Sequence, residues 1–203
     1  DYDIGGINYI YDNLGAVNYD IVLIFDGTTN FTSPDVLNGF EPSKNAAAEL
    51  IYKLRKNDQI GWVNGQDTEP VGNNFQTKLE LLEVIEPIHT SNIAEQIKAA
   101  ELLFPANSPN QKVILLFSAG EITPISLVTD LTIDPGIRIF TLGFEELTEG
   151  QDLMSWLANE TGGEYYEIAS STEIQTALNI VWLRLSKALI LASSSGRLKG
   201  LVM

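Results

Sequence analysis

A chain of 203 residues with 44% hydrophobic and 19% charged side chains is long enough to bury the core of one domain, and its composition excludes wholesale disorder. A formal net charge of −15 repels phosphate backbones and anionic membrane surfaces, which argues against nucleic acid as a partner. The absence of cysteine removes disulfides, thiolate zinc sites and cysteine nucleophiles together, and no apolar run approaches the roughly 18 residues of a membrane span.

Residues 1–18 are rich in Gly, Asn, Asp and Tyr without periodicity, and read as a lead-in segment with no signal-peptide pattern at its start. Residues 21–25 form a continuous apolar run closed by Asp26, the pattern of a parallel strand buried on both faces. Ala47, Leu50, Ile51 and Leu54 share one helical face, with Pro42 suited to the first turn. Residues 60–63 make a short strand, with a partner expected around 69–72. Ile93, Ile97, Ala100 and Phe104 form a second helical stripe, opened by Asn92 with Glu95 at capping spacing. Apolar strands follow at 113–117, ending at Ser118-Ala119-Gly120, and at 137–142, ending at Gly143. Leu153, Trp156 and Leu157 make a third stripe, opened by Thr148 and Gln151. A Gly162-Gly163 turn precedes the last strand, 164–168. Ile174, Ala177, Leu178, Val181, Leu185 and Leu189 share a face of the last helix, which Ser170 and Glu173 open as a capping box.

This alternation predicts an α/β fold over residues 19–191: a doubly wound, mostly parallel central sheet with helices on both faces. Ser193-Ser194-Ser195-Gly196 is linker-like, and residues 192–203 read as a tail that opens a further domain. In such sheets ligands bind at the carboxyl ends of the strands. Residues 26–30, 118–121 and 143–146 are therefore the places for a site.

Few catalytic signatures are present. G-x-S-x-G, the P-loop, G-x-G-x-x-G and H-E-x-x-H are all missing, and His89, the single histidine, reads as a loop residue. Asp26-Gly27-Thr28-Thr29-Asn30 is the richest cluster. Alternate residues of an extended loop point the same way, so oxygens of Asp26, Thr28 and Asn30 can converge on magnesium, manganese or calcium. The same residue types also build plain turns, and local pattern leaves both readings open.

Residues 19–30, Y-D-I-V-L-I-F-D-G-T-T-N, resemble the first strand and metal loop of the von Willebrand factor A domain, which carries D-x-S-x-S there. Ser91-Asn92-Ile93 resembles the family's T-N-I stretch, and residues 113–121, V-I-L-L-F-S-A-G-E, its V-I-L-L-T-D-G-E strand. Residues 137–144 are similar to its I-x-V-x-x-I-G-F strand, and residues 157–166, L-A-N-E-T-G-G-E-Y-Y, to its L-A-x-x-T-G-G-x-Y-Y segment. The match runs in order from 19 to 191. It implies a metal-ion-dependent adhesion site atop the sheet. Asp26 stands for the first aspartate, Thr28 and Asn30 for the two serines, and Ser91 for the threonine, while Ala119 replaces the second aspartate and makes the site degenerate. The implied function is a non-enzymatic protein-binding or adhesion module of a larger, secreted or cell-surface protein. Its partner, a protein or a neighbouring domain, would meet the loops at the strand ends. A structural domain with a dead ion site is the alternative. F-D-G-T-T is also similar to the D-x-D-G-T loop of haloacid-dehalogenase-type phosphatases, but their nucleophilic aspartate would fall at Ile24.

Overall fold

The computed structural model describes residues 17–26, 39–88, 92–119, 130–144 and 148–198. At its centre is β1 (Tyr19–Phe25), every residue of which is buried. It pairs in parallel with β2 (Gln59–Asn64) on one side and β4 (Gln111–Ser118) on the other. β5 (Ile137–Phe144) and β6 (Tyr165–Ile168) extend the parallel sheet, and β3 (Asp67–Gly72) closes the opposite edge antiparallel to β2. The order is β3-β2-β1-β4-β5-β6. Layers on both faces explain why the central strands are apolar runs and not alternating ones.

The helices cover the two faces separately. α1 (Phe40–Ile51), α2 (Phe75–Glu83) and α5 (Ser171–Leu198) bury Phe40, Leu50, Leu82, Leu178 and Val181 against Tyr19, Ile21, Leu23 and Phe25. On the other face α3 (Ile93–Leu103) and α4 (Thr148–Glu160) bury Ile93, Ile97, Leu153 and Leu157 against Val22, Ile24, Ile114 and Leu116. Odd residues of β1 thus serve one core and even residues the other, as the two-residue period of a strand requires. Trp62, Trp156 and Trp182 all join these cores.

Four local expectations are amended. α1 stops at Ile51, and Leu54 reaches the core from the turn beyond it. α2 was not expected: its stripe of Phe75, Leu79 and Leu82 spans barely two turns, and Asn74 starts it by accepting from Thr77 N. α5 runs on through Ser193-Ser194-Ser195-Gly196, so this stretch is helical. Serine tolerates a helix interior at modest cost, and a lone glycine costs about 1 kcal/mol, so such residues weaken a helix without having to end it. Around the predicted capping box, Glu173 accepts from Ala169 N at 2.9 Å, one residue before Ser170, and the Ser170 hydroxyl pairs with that of Thr172.

At the N-terminal edge of the sheet, Asp58 is fully buried and accepts from Tyr19 N and from Arg55 N, Nε and Nη2 at 2.8–3.0 Å. Arg55 Nη2 also donates to Val17 O at 2.6 Å, and its guanidinium lies over the rings of Tyr19 and Trp182. Tyr19 Oη donates to Leu185 O at 2.9 Å, tying β1 to α5.

Candidate functional site at the C-terminal edge of the sheet

The chain leaves β1 toward β2 and later returns to β4 on β1's other side. The carboxyl ends of β1 and β4 therefore flank the topological switch point, where open α/β sheets form a crevice for ligands. Asp26 follows β1 at this point and is only 1% exposed. Its backbone N–H donates to Phe117 O at 2.9 Å, prolonging the ladder by one step beyond the strand.

Register decides what stands beside it. Phe25 pairs with Phe117, so Asp26 faces Ser118, and the Ser118 hydroxyl donates to Asp26 Oδ2 at 2.5 Å. Ala119 is 3% exposed and packs into the opposite core, with Phe25, Phe40 and Phe117. Phe25-Asp26 and Phe117-Ser118 close two apolar runs in the same way.

The next strand continues the row. Gly143 of β5 pairs with Ser118. A Cβ at Gly143 would stand 2.7 Å from the Tyr165 ring and 2.8 Å from its hydroxyl, so the phenol of β6 occupies the space over this glycine. Burial, and then the charge of Glu167, push the Tyr165 hydroxyl above its ordinary pKa and keep it neutral. On the same face, the Asn92 side chain accepts from Glu95 N at 3.2 Å and caps α3 as the spacing predicted.

Of the expected ligands, Asp26 is placed at the edge, whereas Thr28, Asn30 and Ser91 lie outside the described residues, as do His89 and Glu121. Among the described residues no three His, Asp or Glu side chains gather to hold a metal. Ile24, where a phosphatase-type nucleophile would stand, is buried in the core.

Sheet order, layering and the edge occupied by Asp26 define a doubly wound α/β domain with its topological switch point between β1 and β4. No family model matches the sequence, and no curated protein does. Solved structures do. BatB from Bacteroides thetaiotaomicron is 18% identical, with 84% of this chain and 99% of that one covered at a TM-score of 0.61. The vWF domain of the type V pili tip protein Mfa5 from Porphyromonas gingivalis is 10% identical, covering 85% and 96% at 0.68. The pilus adhesin SpaC from Lactobacillus rhamnosus GG is 12% identical, covering 86% of this chain and 31% of SpaC at 0.65. The fold of this chain is that of the von Willebrand factor A domain.

Proposed function

We propose that this chain is a non-enzymatic protein-binding module whose contact face is the C-terminal edge of the sheet, with a divalent cation held there by Asp26 together with Thr28, Asn30 and Ser91. The observation that carries this reading is the buried Asp26 carboxylate at the switch point, bonded by Ser118. Likeness to a pilus tip domain and a pilus adhesin supports a role in protein contact. The donors are hard oxygens (carboxylate, hydroxyl and amide), which fits magnesium, manganese or calcium and not a softer metal. These residues would hold the ion, and its open coordination position would take an acidic group of the partner. The test is a thermal melt with each cation at millimolar concentration. A ligand present at about tenfold its Kd adds about 1.4 kcal/mol to stability, or roughly 3–5 °C for a domain of this size. The rise is expected in the wild type and absent in Asp26→Asn.

A second reading has an observation of its own. Ser118 puts a hydroxyl beside Asp26 where a second carboxylate would add negative charge, and fewer anionic ligands weaken binding of a hard dication. On this reading the edge is a structural surface that contacts neighbouring domains without an ion. Melting temperatures unmoved by all three cations would select it.

A further inference from the structure

α1 and α2 lie side by side over the same face of the sheet and leave an open groove of about 470 Å³ between them. α1 turns Glu41, Ala48 and its C-cap Tyr52 toward the groove, and α2 turns Leu79, Glu80 and Glu83. Each set has the spacing of a single helix face, so the groove follows from the packing of two regular helices. Its floor is apolar: Leu82 is buried, and Ala48 and Leu79 pack against the core. The Tyr52 ring closes the α1 stripe and is 72% exposed.

The rim is acidic. Its one ammonium, Lys44, is committed within the fold: Nζ pairs with Glu41 at 2.9 Å and donates to Glu83 O and Ile85 O, both at 3.3 Å. The Glu80 carboxylate accepts from the neutral Gln76 amide at 2.8 Å. Among the described residues no cation pairs with Glu80 or Glu83, and both are exposed. An apolar floor, an exposed aromatic ring and two carboxylates without a countercharge therefore share one groove. A second copy of this chain brings a net charge of −15 and is repelled. A cationic occupant is drawn in, and a guanidinium can both pair with a carboxylate and stack on a tyrosine.

We propose that this groove is a second contact face, which takes a short segment of a partner protein in which apolar residues alternate with Arg or Lys. The stripe from Glu41 to Tyr52 is about 16 Å long at 1.5 Å per helical residue, the reach of about five residues of extended chain. Alternate side chains of such a segment point to opposite sides, so apolar ones can enter the floor while basic ones meet the rim. The groove shares no residue with the C-terminal edge, and the two readings fail independently.

The test titrates the full chain, followed by amide chemical shifts, with the blocked hexapeptide Leu-Arg-Leu-Arg-Leu-Arg, with its Leu-Glu counterpart and with hexa-arginine. The Leu-Arg peptide is expected to shift amides of residues 41–52 and 76–83 and to bind at least about tenfold more tightly than the other two. The double variant Glu80→Lys, Glu83→Lys is expected to weaken it about tenfold, more at low salt than at high. Tyr52→Ala is expected to weaken it about threefold. Ala48→Gln fills the floor without changing charge and is expected to weaken it as much as the double variant. Glu80, Glu83 and Tyr52 are exposed, so their variants remain folded if Ala48→Gln disturbs α1. Shifts centred on other residues, hexa-arginine binding as tightly as the Leu-Arg peptide, or an affinity unmoved by the double variant would each overturn the proposal. So would a Leu-Arg peptide that does not bind.

Discussion

Asp26 and Ser118 form the contact on which the site turns. A buried carboxylate loses its hydration, and each hydrogen bond to it is worth more than one between neutral groups. Ser118→Ala deletes the hydroxyl that donates to Oδ2 while leaving the carboxylate in place. The expected cost is about 1–3 kcal/mol in urea unfolding, and a cost below a few tenths would show that this bond contributes little. Asp26 was legible in the sequence because a continuous apolar run stops there and turn residues begin. Ser118 as its neighbour was not, since no local pattern states which residue of β4 lies opposite which of β1. That fact belongs to the pairing of strands far apart in the chain. Thr28, Asn30 and Ser91 rest on resemblance alone.

Elements were legible where the apolar period was long, as in β1, β4 and α5, and obscure where it was short, as in α2. The Gly162-Gly163 turn, marked from composition, has a steric cause. Gly162 has φ +72°, and a Cβ on Gly163 would lie 1.8 Å from Ile139 O. Gly162→Ala should cost about 1 kcal/mol for the left-handed backbone. Gly163→Ala must displace the β5 backbone and should cost more, about 3 kcal/mol by analogy with severe overpacking. Urea unfolding of the two variants checks the ranking, and equal losses would contradict it. After this turn, β6 is tied to α5: Tyr166 Oη donates to Glu164 at 2.6 Å, and Arg184 pairs with the same carboxylate at 2.8 Å. Burial first, and then Glu164, push the Tyr166 hydroxyl far above its ordinary value. Its raised pKa means that the folded state keeps a proton that the unfolded state gives up near pH 10. The stability it contributes is therefore complete below about pH 10 and is lost as pH climbs from there toward the folded value. Tyr166→Phe is expected to flatten the fall in stability above about pH 10, read from urea melts at each pH. An unchanged slope would assign that fall to other groups.

Across the whole molecule, polar chemistry is concentrated at the two ends of the sheet, and the two ends are built differently. At the N-terminal edge the buried Asp58 carboxylate is saturated by Tyr19 N and by three donors of Arg55. Such a network ties the β2 entry to β1, and through Tyr19 to α5. At the C-terminal edge, the buried Asp26 carboxylate is bonded by the Ser118 hydroxyl. Folds of this class place stability at one edge and ligands at the other, so the two functions should separate on mutation. Asp58→Asn preserves the shape but removes the charge facing Arg55, and breaking a buried pair by losing one partner costs about 3–5 kcal/mol. Asp58→Asn should therefore melt well below the wild type while keeping the same increment in melting temperature on adding cation. Asp26→Asn should lose that increment. The pair of melts, each with and without cation, reads the separation directly. If Asp58→Asn abolished the cation response while still unfolding cooperatively, the two edges would be coupled through the sheet and the division of labour would be wrong.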